Sequence, residues 1–188
     1  MRESDTSLIE ECRTGDVSAF DHLVERYRKQ IYHLAYQITG SHEDADDISQ
    51  ESFIHAYKSI GRFGGRSKFS TWLRRIAINL SINHLKKESR HRHKSSDEEI
   101  LDSKDYSFIS GQVENPLEVV EAKELAQRIK EAMNSLPVAE KVVFILRVHQ
   151  GLSYKEMAQT LGCPVGTIMS RLNRARRRLR DKLKDYVI

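Results

Sequence analysis

Between Gly151 and Leu183 the chain reads GLSYKEMAQTLGCPVGTIMSRLNRARRRLRDKL, a stretch that leaves room for little except two closely linked helices. Ser153 followed three residues later by Glu156 has the form of a capping box, in which each side chain satisfies a backbone amide at a helix start. Met157, Ala158 and Leu161 then fall at helical spacing, and Gly162 offers the left-handed residue that ends a helix. Pro164 stands at or just before a second start. Ile168, Leu172, Ala175, Leu179 and Leu183 follow at steps of four, three, four and four, a single apolar stripe. The spacing predicts a helix-turn-helix whose second helix protrudes, with Thr167, Ser170, Arg171, Asn173 and Arg174 off the stripe.

Charge separates this end from the rest. From Cys163 to Ile188 there are six arginines and two lysines against two aspartates, net +6; the whole chain is +4, so the residues before Cys163 carry −2. A local basic segment on a tight helical turn points to duplex DNA, where a solvated Arg-rich terminal helix would be the plain alternative.

At 188 residues, 39% hydrophobic and 31% charged, the chain suits one ordinary domain or two small helical ones with small cores. No apolar run approaches a membrane span, and the start MRESDTSLIEECR is too polar for a secretory signal, so a cytoplasmic location is expected. Cys12 and Cys163 stand far apart with no metal-ligand spacing beside either, so structural thiols are expected, with no metal and no cofactor. His91 and His93 sit within a basic run that reads as solvated charge.

Earlier in the chain, Asp16 can cap a helix carrying Val17, Phe20, Leu23, Val24, Tyr27, Ile31, Leu34, Ala35 and Ile38 as a core face ended by Gly40. Ser41 can cap the next helix, where Glu43, Asp44, Asp46 and Asp47 favour the positive end of the helix dipole. Ala45, Ile48, Ala56 and Ile60 lie inward, while Asp47, Gln50 and Glu51 project outward. Such an acidic, amide-bearing surface suits a basic protein partner rather than DNA; capping acids on a solvated face are the alternative.

Phe63-Gly64-Gly65-Arg66-Ser67-Lys68-Phe69 breaks the periodicity and mixes aromatic, glycine and cation, as a loop gripping a backbone or a splayed base would, or as ordinary turn chemistry would. Thr71 is expected to cap a helix to about Lys87. At 100° per residue, Trp72, Arg75, Asn79, Asn83 and Lys86 share a sector of about 80°, flanked by Leu73, Ile76, Ala77 and Leu80 on one side and Ile78, Ile82 and Leu85 on the other. That row offers stacking, base-edge hydrogen bonds and phosphate contact together. A lone Trp in a first turn is more often core than platform.

Periodicity lapses from Glu88 to Pro116, where Asp97 to Asp105 carries five acids and one lysine. The expectation is an all-α protein of two small domains, 1–87 and 117–188, joined by a flexible acidic linker at 88–116. Leu117, Val120, Leu125, Ile129 and Met133 mark a helix that Pro137 stops, and Val142, Ile145 and Leu146 mark the next, ending near Gly151.

DADDISQESFIHAYKSI, then GGRSKFSTWLRRIAINLSINHLKK, then SLPVAEKVVFILRVHQGLSYKEMAQTLGCPVGTIMSRLNRARRRL together resemble the extracytoplasmic-function class of bacterial sigma factors. The resemblance covers about residues 17–87 and 121–184. It implies a subunit without catalysis of its own that binds core RNA polymerase and directs it to promoter DNA. It places Asp44, Asp47, Gln50, Glu51 and Phe53 on the polymerase contact. It places Phe63 to Phe69, with Asn79 and Asn83, at the −10 element, where the polar row adds Arg75 and Lys86, and Ser170, Arg171, Asn173 and Arg174 at the −35 element, where the protruding basic helix adds Thr167 and Arg178. It implies an inhibitory anti-sigma factor, often membrane-anchored, and no regulation through a domain beyond Ile188. Met169 stands where many members carry Lys or Arg, and Tyr57 where Trp is common. A stand-alone helix-turn-helix regulator would leave the loop and the Trp72-to-Lys86 row unexplained. A nucleic-acid-processing enzyme would need a P-loop, a carboxylate set beyond the capping cluster or a nucleophile-base pair.

Overall fold

The computed structural model describes residues 4–92, 116–184 and 186. Among these lie eight α-helices, one 3-10 turn and no strand, in the order α1 (Asp5–Arg13), α2 (Val17–Thr39), α3 (His42–Ser59), the 3-10 turn Ile60–Arg62, α4 (Phe69–Arg92), α5 (Pro116–Asn134), α6 (Val138–Val148), α7 (Tyr154–Leu161) and α8 (Val165–Leu183). Helices α1 to α4 make one compact unit; α5, α6 and α8 form the body of a second. The acidic stretch Asp97–Asp105, and His93 and Lys94 of the basic run, lie outside the described residues.

The first unit is built around α2. Its N-cap Asp16 accepts from the Ser18 amide at 2.9 Å, and Gly40 at φ +83° ends it in the left-handed region. Ser41 caps α3 through the Asp44 amide. Leu23, Ile31, Leu34, Ala35 and Ile38 of α2 are buried with Ala45, Ile48 and Ala56 of α3 and Leu73, Ala77 and Ile78 of α4. Each large member contributes about 1.5–3 kcal/mol through burial. Val17, expected in this core, is exposed: it begins α2.

Two departures come from local hydrogen bonds. Helix α1 was hidden by the polarity of its sequence, yet Ser4 caps it by accepting from the Ser7 amide, and Leu8 and Ile9 are buried. Asp5 ties it to α2 by taking Arg26 and the Tyr27 hydroxyl; burial, then that hydrogen bond, pushes the Tyr27 phenol up to about 12. Helix α4 starts at Phe69 rather than after Thr71, because the Lys68 carbonyl accepts the Thr71 and Trp72 amides at 3.0 and 3.2 Å and so closes the first turn early. It also runs to Arg92, past the expected end at Lys87.

In the second unit, Ala132 and Leu136 pack on Ala175 and Leu179, with Met133, Phe144 and Leu183 around them. Leu125 and Ile129, two of the residues that mark α5 in the sequence, are exposed. Val142, Val143, Ile145 and Leu146 of α6 are nearly inaccessible, and Glu140 and Lys141 are buried beside them. The capping box at α7 forms as the spacing predicts: Glu156 accepts the Ser153 amide at 2.9 Å, and Ser153 accepts the Glu156 amide at 3.3 Å. Arg147 holds the preceding turn, donating to the Leu152 carbonyl at 3.0 Å with its guanidinium over the Tyr154 ring.

Lys141, on α6, is only 6% exposed and donates to Asn134 at 2.9 Å. Desolvation first, then nearby Lys130, depresses its pKa from 10.5 to about 8. Below pH 8 both folded and unfolded chains carry the charge, and the native state bears the whole burial penalty, on the order of 3 kcal/mol. Between pH 8 and 10.5 the unfolded chain holds more protons, so this group's contribution shifts toward folding as pH rises. Lys141→Met should therefore be more stable than wild type at pH 7 by about 1–3 kcal/mol, with the gap closing by pH 10.5. Urea unfolding of both proteins across that range checks it; a pH-independent difference would show that the charge is not the cause.

Candidate polymerase and promoter interfaces

Helix α3 sorts its side chains as its spacing requires. Asp47, Gln50 and Glu51 are exposed, Asp44 is half-buried, and the apolar residues between them point inward. Asp44 pairs with His84 of α4 at 3.0 Å, and Glu51 with His55 at 3.5 Å. Phe53, assigned to the same contact, is buried, so it braces the face from inside rather than forming its surface. Tyr57 packs edge-on against Phe20, ring centroids 5.0 Å apart, while keeping one side open.

The loop between α3 and α4 hangs from two aromatic anchors. Phe63 and Phe69 are buried, and Trp72 lies against both, at 5.0 and 5.7 Å between centroids; Tyr27 meets Phe69 at 5.6 Å. These rings are thus not free platforms for a base. Between the anchors, Gly64, Gly65, Arg66 and Lys68 are exposed and Ser67 half-exposed, with Gly65 at φ +66°, a conformation that resists a side chain. Arg13 of α1 donates to the Phe63 carbonyl and fixes one root of the loop. A cleft of about 440 Å³ opens there, lined by Arg13, Tyr27, Phe63, Gly65 and Lys68 with Asp5 and Glu10. Arg13 and α1 were missed because their only signal was the pair Leu8-Ile9 in polar surroundings.

Along α4, Arg75, Asn79, Asn83 and Lys86 are all exposed, while Leu73, Ala77 and Ile78 are buried. Buried Ser81 donates to the Ala77 carbonyl at 2.8 Å and so costs the core nothing unsatisfied. Ile76, Leu80, Ile82 and Leu85, expected to cover both flanks, are half-buried. The row is real; its flanks are shallower than the pattern implied.

On α8, Ile168, Leu172, Ala175 and Leu179 are buried as a stripe. Ser170, Asn173, Arg174 and Arg178 are exposed, and Thr167 and Arg171 half-exposed. Ser170 donates to the Thr167 carbonyl at 3.0 Å, which leaves its hydroxyl oxygen to accept. Met169 is 47% exposed with Val165 one turn before it, so the protruding turns carry an apolar edge beside their cations. At 100° per residue, Thr167, Ser170, Arg171, Arg174 and Arg178 share about 100° of the helix, with Asn173 off to one side. Glu140, unmarked in the sequence, reaches Arg174 and Arg178 from α6.

Both cysteines are free and half-buried. Among the described residues no helix is long and apolar enough to cross a membrane, and no group of three potential ligands could hold a metal ion.

Two family models match in sequence order: Sigma-70 region 2 over residues 23–91 and Sigma-70, region 4 over residues 126–179. The RNA polymerase sigma-H factor of Pseudomonas aeruginosa is 37% identical over 180 residues, 93% of this chain and 91% of that one. The ECF RNA polymerase sigma-E factor of Escherichia coli is 37% identical over 188 residues, 98% of this chain and 96% of that one. Among solved structures, the sigma factor RpoE of Bartonella quintana, in complex with the anti-sigma factor NepR, aligns with a TM-score of 0.69 at 26% identity, covering 91% of this chain and all of that one. CnrH, in complex with the cytosolic domain of CnrY, shares the fold with a TM-score of 0.67 at 23% identity, covering 98% of this chain and all of that one. Region 2 binds the −10 element and region 4 the −35 element in proteins that direct promoter-specific initiation and are not enzymes. With both regions in order and more than a third of its residues shared with curated relatives over nearly its whole length, the chain belongs to the extracytoplasmic-function sigma factors of bacterial RNA polymerase.

Proposed function

We propose that this sigma factor engages core RNA polymerase through Asp47, Gln50 and Glu51 of α3, with Asp44 at the edge of the contact and Phe53 supporting it from within. Gly64 to Lys68, held at their roots by Phe63 and Phe69, meet the −10 element with Arg75, Asn79, Asn83 and Lys86. Thr167, Ser170, Arg171, Asn173, Arg174 and Arg178 meet the −35 element. Residues 1–87 and 117–188 act as the two binding domains, with 88–116 as the linker. The protein works in the cytoplasm, where an anti-sigma factor, membrane-anchored as is common in the family, restrains it; that NepR is in complex with the related RpoE supports such a partner.

The observation that carries this reading is the segregation of side chains on α4 and α8, where the polar rows are open to solvent while Leu73, Ala77 and Ile78 of α4 and Ile168, Leu172, Ala175 and Leu179 of α8 are buried. Runoff transcription with core polymerase on a promoter library tests it. Arg174→Ala should weaken −35 use by about 1–3 kcal/mol and relax preference at one base pair, whereas Arg178→Ala should lower affinity evenly across sequences through a lost phosphate contact. Equal shifts of the same base preference by both would refute that division. Tight binding of duplex promoter without polymerase, and no polymerase-dependent start, would favour a stand-alone regulator.

A further inference from the structure

One buried acid in the second unit faces the helix assigned to the −35 element. Glu140 is the third residue of α6, and its amide is already used within the turn, donating to the Pro137 carbonyl at 2.8 Å. Its side chain, 8% exposed, reaches α8. There one carboxylate oxygen lies 3.5 Å from Arg174 Nε and the other 3.1 Å from Arg178 Nε; both contacts are ion pairs, and the second oxygen makes no hydrogen bond. Those arginines are 53% and 54% exposed, so only one end of each pair is withdrawn from water. A carboxylate at so low an exposure is costly unless paired, and pairing through Nε rather than the terminal nitrogens leaves each guanidinium's forked end for another acceptor.

From this geometry we propose that Glu140 is a positioning residue for −35 recognition. Its charge draws in the inner nitrogens of Arg174 and Arg178 and so biases the direction of their outer forks. It also subtracts one charge from the side of α8 that meets DNA. Free arginines would follow phosphates anywhere along a duplex, since that attraction is independent of sequence. An Arg174 so directed meets a base edge only where the edge matches, since a bidentate contact depends on that alignment, and an Arg178 so directed meets one phosphate position and not others. The arrangement trades some affinity for discrimination. It rests on the assignment of α8 to the −35 element.

The test uses the full chain in holoenzyme with core polymerase, on promoters that carry each single-base change in the −35 element, at several salt concentrations and well below the melting temperature. Glu140→Gln keeps the shape and loses the charge. It should reduce discrimination between preferred and altered −35 elements by about tenfold and steepen the dependence of log affinity on log salt by roughly one. In an Arg174→Ala background the loss of discrimination caused by E140Q should largely disappear. Glu140→Asp keeps the charge but withdraws it by one methylene; it should retain the wild-type salt dependence and lose part of the discrimination, and it replaces E140Q should that variant not fold. If E140Q lowers the melting temperature but leaves discrimination and salt dependence at wild-type values, Glu140 only ties α6 to α8 and the proposal is overturned. If Arg174→Ala and Arg178→Ala themselves leave −35 choice and salt dependence unchanged, the assignment of α8 falls and takes this role with it. Effects of the arginine variants without any effect of E140Q overturn the positioning role alone.

Discussion

A chain carrying Asp47→Lys, Gln50→Lys and Glu51→Lys should fold normally and fail to co-purify with core polymerase. The three side chains are exposed, and none contributes to the buried side of α3, where Ala45, Ile48 and Ala56 are packed. Ser41 still caps the helix, and the Glu51–His55 pair that is lost is exposed and worth a fraction of a kcal/mol. Helicity and melting temperature should therefore stay close to wild type. Binding should not: truncating a few central interface residues commonly costs about 2–4 kcal/mol each, and three cations facing a basic partner add repulsion. A loss of about 4 kcal/mol or more, roughly a thousandfold in affinity, is expected. Undiminished co-purification of the folded triple variant would remove α3 from the polymerase contact.

The second large effect concerns strand opening. Asn79 and Asn83 are exposed one turn apart on α4, the helix that the loop from Gly64 to Lys68 leads into. Extruding a base from a duplex costs a few kcal/mol, returned only if a pocket satisfies the edge that pairing used to satisfy. A carboxamide donates and accepts at once, so it can match such an edge where a cation or an acid cannot. Asn79→Ala should leave polymerase assembly and closed complexes nearly unchanged and lower open-complex formation about tenfold or more, with partial rescue on a template already unpaired across the −10 element. Permanganate footprinting on paired and pre-melted templates reads both. Equal losses on the two would rule out base capture, and a lowered melting temperature without selective rescue would make Asn79 a support for the loop backbone.

What could be read from the residues was whatever has a period or a cap. The α8 stripe, the capping box at Ser153 and Glu156, the Asp16 and Gly40 ends of α2 and the outward acids of α3 are local consequences of helical geometry, and each stands where the spacing put it. The misses depend on partners distant in sequence. Helix α1 is short and polar, and its burial of Leu8 and Ile9 is decided by its neighbours. Phe63 and Phe69 look like exposed loop aromatics until Tyr27 and Trp72 close around them. Leu125 and Ile129 have core spacing yet remain exposed, because periodicity says which residues share a side and not whether anything covers it. Glu140 was illegible for a related reason: an acid in the first turn of a helix needs no partner to be explained, and its arginines come more than thirty residues later.

Trp72 is the chain's sole tryptophan, and it touches both residues that anchor the loop proposed to meet the −10 element. Its indole emission is consequently an internal reporter. A loop that shifts its roots on taking up single-stranded DNA moves Phe63 or Phe69 relative to that ring and alters the polarity around it. The protein therefore carries a label-free optical signal for one of its two DNA contacts, with seven tyrosines but no second indole to obscure it under selective excitation.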